Sequence, residues 1–153
     1  MNDNVNHPGH YTENAAGIEV IEVTGLLGFC NGNAFKYLAR YKSKKDPSED
    51  VAKAIWYLNR WSYDLNKMAT SIVATEEERG NLIKNIQKFI DAEKVPEIRR
   101  AFETIKQQVL AEIDDTDFES LPLLRVEEYK TTTYLLTAYA ESINGKKPED
   151  FNG

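Results

Sequence analysis

Apolar residues recur every three to four positions along most of this chain, and runs that alternate with period two are scarce. That spacing predicts amphipathic helices rather than half-buried strands. The segment IEVIEV, residues 18–23, is the one place where a strand competes, because Ile18, Val20, Ile21 and Val23 are β-branched. Its repeat has period three, so a first helix over 17–27 is the preferred reading. Asn31-Gly32 reads as a start signal for a second helix over 33–42. A loop over 43–46 follows, and Pro47 suits the first turn of a third helix over 47–68, with the apolar stripe Val51, Ala54, Ile55, Leu58, Trp61 and Leu65.

Thr75 and Glu78 form a capping-box pattern that opens a fourth helix over 76–91, whose apolar face is Leu82, Ile83, Ile86, Phe89 and Ile90. Pro96 opens a fifth helix carrying Ile98, Phe102, Ile105, Val109 and Ile113. The acidic break Asp114-Asp115-Thr116-Asp117 precedes a final helix over 123–143, which Asn144-Gly145 ends. The expected fold is an all-α bundle of five to six helices. Its expected seam lies at 68–75, between a first unit, 1–68, and an acidic helical extension, 69–153, packed on it.

Composition narrows the class. With 153 residues, 41% hydrophobic and 29% charged, the chain is of globular type and can bury one sizeable core. No apolar run reaches the roughly 18–20 residues that cross a bilayer, and no basic-then-apolar leader is visible, so no membrane partner is expected. The single cysteine, Cys30, has no disulfide partner and fits a reducing compartment as a small buried residue.

The net charge of −6 is unevenly spread. Residues 1–69 hold eight Lys/Arg and eight Asp/Glu, whereas residues 70–153 hold eleven against seventeen. Inside the neutral half, the stretch from Lys36 to Lys45 carries five cations and no acid. A local basic patch on an acidic protein suits a small anionic ligand, and not a long nucleic-acid track.

The patch has an order to it. Asn33, Lys36, Tyr37 and Arg40 fall at helical spacings 0, 3, 4 and 7 and share one face. Lys36 supplies a point charge, Arg40 a two-donor fork, Asn33 an amide for a phosphate oxygen or base edge, and Tyr37 a ring for stacking. The competing reading is that Lys36 and Arg40 pair with acids of neighbouring helices. Asp50, Lys53 and Tyr57 form a second stripe at 0, 3 and 7, where Asp50 serves either the helix dipole or catalysis. Lys44 and Lys45, in the loop, either close over phosphates or are solvated. Glu19 and Glu22, three apart, can hold a magnesium ion with help from water or form a solvated face. The arm His7-Pro8-Gly9-His10-Tyr11 is a lid or a mobile tail, with His10 able to act as an acid or base. No GxxxxGK[ST] loop, GxGxxG, nucleophile elbow or CxxC pair is present.

The run HPGHYTENAAGIEVIEV, then FCNGNAFKYLAR, then EDVAKAIWYL resembles a family of small phage-encoded domains, formerly of unknown function. Its best-known member is the early nucleotide kinase of T-odd lytic coliphages, which also lacks a P-loop. The similarity runs over about residues 7–60, and residues after Met68 have no counterpart in it. It implies a phage origin, a host-cytoplasmic location and phosphoryl transfer from ATP or a dNTP to a nucleoside monophosphate. By matched position it implies Lys36, Arg40, Asp50 and His10 as catalytic residues. It implies Tyr11, Asn33, Tyr37, Lys53 and Tyr57 as nucleotide contacts, and Glu19 and Glu22 as magnesium ligands; Lys44, from its place in the loop, is expected to join the nucleotide contacts.

Two other functions compete. A non-catalytic binder would sequester a nucleotide signal or inhibit a host defence protein, with the extension contacting that partner. A nucleotide pyrophosphohydrolase would use paired ExxE-type carboxylates, of which Glu19/Glu22 supply only half. The tyrosines and the long amphipathic C-terminal half also lead us to expect a homo-oligomer.

Overall fold

The computed structural model describes residues 5–6, 14–63, 75–113 and 121–151. Its regular elements are all helical. They are α1 (Ile21–Thr24), α2 (Phe29–Arg40), α3 (Pro47–Tyr63), α4 (Glu76–Ala92), α5 (Pro96–Ile113) and α6 (Leu121–Ser142), with 3-10 turns at Tyr41–Ser43 and Pro148–Phe151. The expected all-α bundle is therefore what the chain forms, with no strand among the described residues.

Helix α3 is the centre, packed against α2 on one side and α6 on the other, while α5 joins α4 to α6. Its buried stripe is Val51, Ala54, Leu58 and Trp61, at the spacing that lines one face of a helix. Leu65 and the expected last turn of this helix, 64–68, lie outside the described residues. Phe35 from α2 meets Phe89 from α4 at 5.0 Å and Phe102 from α5 at 4.5 Å. Burying such a ring contributes roughly 1.5–3 kcal/mol, so this triad is a main tie between α2 and the helices after residue 75. One continuous core runs from Val20 to Ile143.

Polar pairs inside that core fix the register. Tyr129 on α6 donates to Asn31 Oδ1 on α2 at 2.8 Å and stacks on Trp61 at 4.3 Å. The Thr104 and Thr132 hydroxyls meet at 2.7 Å between α5 and α6. Burial of Tyr129, with Glu112 adding to it, pushes its phenol well above the ordinary range. Tyr41 shares a 2.9 Å hydrogen bond with Tyr139, and burial raises both phenols.

The first two helices depart from the sequence expectation at both ends. The first helix shrinks to one α turn, Ile21–Thr24, flanked by i→i+3 bonds from Glu22 to Glu19 and from Leu26 to Val23. It stops at Gly25, where a Cβ would lie 2.8 Å from the Ile21 carbonyl oxygen. The second helix starts at Phe29, four residues before its expected first residue, Asn33, after Gly28 in an extended conformation. Asn31 and Gly32 are therefore not a start signal but buried parts of the first turns, and the Gly32 N–H is already bonded to the Gly28 carbonyl at 2.8 Å. The helix also ends at Arg40, two residues early, and tightens into the 3-10 turn. The capping box is complete: the Glu78 N–H donates to Thr75 Oγ1 at 3.1 Å, and the Thr75 N–H donates to Glu78 Oε2 at 3.2 Å. Helix α6 starts at Leu121 and ends with Ser142, and Gly145 takes a φ of +84° just beyond it.

Candidate functional site

The α2 stripe meets the α3 stripe at one side chain, Tyr37. Its ring is parallel to Tyr57 of α3, with centroids 6.0 Å apart and planes at 16°. Three cations from two helices surround it: Lys36 Nζ at 4.5 Å, the Arg40 guanidinium at 4.7 Å and Lys53 Nζ at 5.6 Å from the centroid. A cation over an aromatic face is attracted by the ring quadrupole, and Tyr37 thus lowers the cost of holding three like charges close together.

Those cations differ in what else they touch. Arg40 Nε donates to Asp50 Oδ2 at 3.1 Å, and the two side chains are only 13% and 5% exposed. Arg40 is thus the residue to which the competing ion-pair reading applies, and Asp50 is its buried counter-ion in the first turn of α3. Lys53 Nζ lies 2.9 Å from Glu49, a pairing that raises the lysine above its usual range. Both partners are well exposed, so the pair is weak and exchangeable. Lys36 has no carboxylate partner among the described residues; its ammonium donates to Asn33 Oδ1 at 3.0 Å. The Asn33 amide in turn donates to the Phe29 carbonyl at 2.8 Å, leaving one N–H for a ligand.

Two residues that the sequence analysis passed over belong to this surface. Trp56 and Phe29 are 60% and 75% exposed. Both sit edge-on to Tyr57, with centroids at 5.0 and 5.8 Å. Trp56 had a signal in the sequence, since it falls out of phase with Val51, Ala54, Leu58 and Trp61. Phe29 lay outside the helix as expected from Asn31-Gly32.

The remaining candidates are scattered or out of view. His10 and Tyr11 lie outside the described residues. Lys44 is half-buried just after the 3-10 turn, and Lys45 is exposed. Glu19 is half-buried and Glu22 exposed on α1, and no group of three or more His, Cys, Asp or Glu is placed to hold a metal among the described residues. A magnesium ion at this pair would therefore take most of its oxygen ligands from phosphates and water. Cys30 is buried. A cleft of about 750 Å³ lies elsewhere, lined by Gln87, Arg100, Lys106, Arg125, Glu103 and Glu128 among others. Its cations are matched by acids, and Arg100 already leans on Glu128 at 3.5 Å. The unbalanced positive charge is on the α2–α3 face instead.

Residues 5–59 match a family model. The family is described as a protein of unknown function, DUF3310. The matched segment includes α1, α2 and most of α3, and with them every candidate site residue from His10 to Tyr57. No curated protein and no solved structure matches the chain. No helix among the described residues is long and apolar enough to cross a membrane.

Proposed function

We propose that the α2–α3 face binds the phosphates of a nucleotide and that the protein is a phage nucleotide-binding protein with kinase-like phosphoryl transfer between nucleotides. The observation that carries this reading is the set of three cations around Tyr37, of which Lys36 has no counter-ion among the described residues and Lys53 has only an exposed one. Phosphoryl transfer needs mainly positioning and neutralisation of charge, which Lys36, Arg40 and Lys53 can supply together. Asn33 offers its remaining N–H to a phosphate oxygen. Magnesium would arrive with the nucleotide, held mostly by its phosphates, and Glu19 and Glu22 are the carboxylates offered for it.

One observation favours the alternative, a binder without turnover. Asp50, the buried acid beside the cations, is tied to Arg40 and is not free to accept a proton from a substrate. Incubation with ATP and a panel of nucleoside monophosphates, read by mass spectrometry, separates the two. Diphosphate product that falls at least tenfold in Lys36→Ala supports transfer. Binding of nucleotide without product supports the sequestering role. Neither binding nor product would end both.

A further inference from the structure

Isolated apolar side chains on a surface are ordinary and carry no message. Trp56 and Phe29 are not isolated. Each is placed edge-on to Tyr57, which lies parallel to Tyr37, and Tyr37 carries the cations. Two exposed rings, two half-buried ones and three cations thus form one continuous surface from two adjacent helices. From Trp56, two ring-to-ring steps of 5.0 and 6.0 Å reach the ring that gathers the cations. Phe29 is joined to the charged end by a second route, because its carbonyl accepts from Asn33, whose own oxygen accepts from Lys36.

A surface that is aromatic at one end and cationic at the other fits a molecule with a flat ring at one end and several negative charges at the other. We propose that Trp56 and Phe29 form the base platform of this site, and that its ligand is a purine nucleotide with two or three phosphates. The inference rests on the proposed phosphate site and adds the part that recognises the base. An indole and a phenyl ring offer broad π-faces and, between them, a single hydrogen-bonding group, the indole N–H, so they select mainly by stacking area, which favours a two-ring base over a one-ring base. Two or three phosphates supply the several negative charges that the three cations from α2 and α3 would engage.

The two tryptophans make the test direct, since Trp56 is 60% exposed and Trp61 is 1% exposed. Calorimetric titrations would use ATP, CTP and inorganic tripolyphosphate, with tryptophan emission followed in parallel. Stacking on an aromatic side chain predicts ATP binding roughly tenfold tighter than tripolyphosphate, with CTP between them. Trp56→Ala should bring ATP to the level of tripolyphosphate and leave tripolyphosphate unchanged, and Lys36→Ala should weaken all three. ATP should quench the wild-type emission and not that of Trp56→Phe, which keeps only Trp61. If Trp56→Ala binds ATP as the wild type does, or CTP matches ATP, the platform is wrong while the phosphate site stands. If neither ATP nor tripolyphosphate binds, both are wrong. Emission that shifts with protein concentration and ignores ATP would assign the rings to a second copy of the chain and overturn the inference.

Discussion

Arg40 Nε lies 3.1 Å from Asp50 Oδ2, across the α2–α3 contact, with both side chains largely withdrawn from water. Removing one member of a buried pair strands the other charge, at a cost of about 3 kcal/mol. Asp50→Asn should lower the urea midpoint accordingly. It should also remove the Asp50 charge from Arg40 and raise the charge of the face by one, so tripolyphosphate should bind roughly threefold tighter. A stable Asp50→Asn protein with weakened polyphosphate binding would mean that Asp50 organises the site rather than neutralising it. Combining Arg40→Ala with Asp50→Asn in a double-mutant cycle should recover part of the lost stability.

The hydrogen bond from Tyr129 to Asn31 joins residues 98 apart in sequence, with both side chains fully buried. Asn31→Ala leaves the phenol without this acceptor and opens a small void, which should cost about 2–3 kcal/mol in chemical denaturation. Tyr129→Phe keeps the stack on Trp61 and should cost about 1 kcal/mol.

That same pair explains where the sequence was readable and where it was not. Helices α4 and α5 follow from local signals alone, the Thr75 and Pro96 starts and the apolar faces that begin with Leu82 and Ile98. The beginning of α2 was misplaced because Asn31-Gly32 has the composition of a helix start. What keeps Asn31 inside the helix is a partner on α6, and no local pattern reports a contact at that separation. The same holds for the site. Lys36, Tyr37 and Arg40 share a face by spacing, as do Lys53 and Tyr57, but the meeting of the two stripes at Tyr37 depends on how α2 and α3 pack. Trp56 was visible as an aromatic residue out of phase with its helix. Phe29 was hidden by the displaced boundary.

Buried phenols set an alkaline limit. Tyr41 and Tyr129 are both raised above the ordinary phenol, which ionises near about pH 10. A raised folded-state value means that their contribution is complete below about pH 10, where the unfolded phenol is still protonated, and is lost as pH climbs above it. Stability should fall by about 1.4 kcal/mol per pH unit for each such group above pH 10. Urea midpoints from pH 9 to 11.5 check this, and Tyr41→Phe should reduce the slope by about one proton.

The Thr75–Glu78 box caps α4 with two reciprocal hydrogen bonds at 3.1 and 3.2 Å. Thr75→Ala should cost about 1 kcal/mol, whereas Thr75→Asp should cost little, because aspartate also accepts from the third helical N–H and favours the dipole. Thermal melts of the two variants give the comparison.

The most direct test of the nucleotide site is an amide chemical-shift map of the ¹⁵N-labelled protein titrated with ATP. The largest changes should fall on Asn33, Lys36, Tyr37, Lys53, Trp56 and Tyr57, along the line where α2 meets α3. Changes centred instead on Arg100, Lys106 and Arg125 in the cleft between α4, α5 and α6, or no change at millimolar ATP, would contradict it.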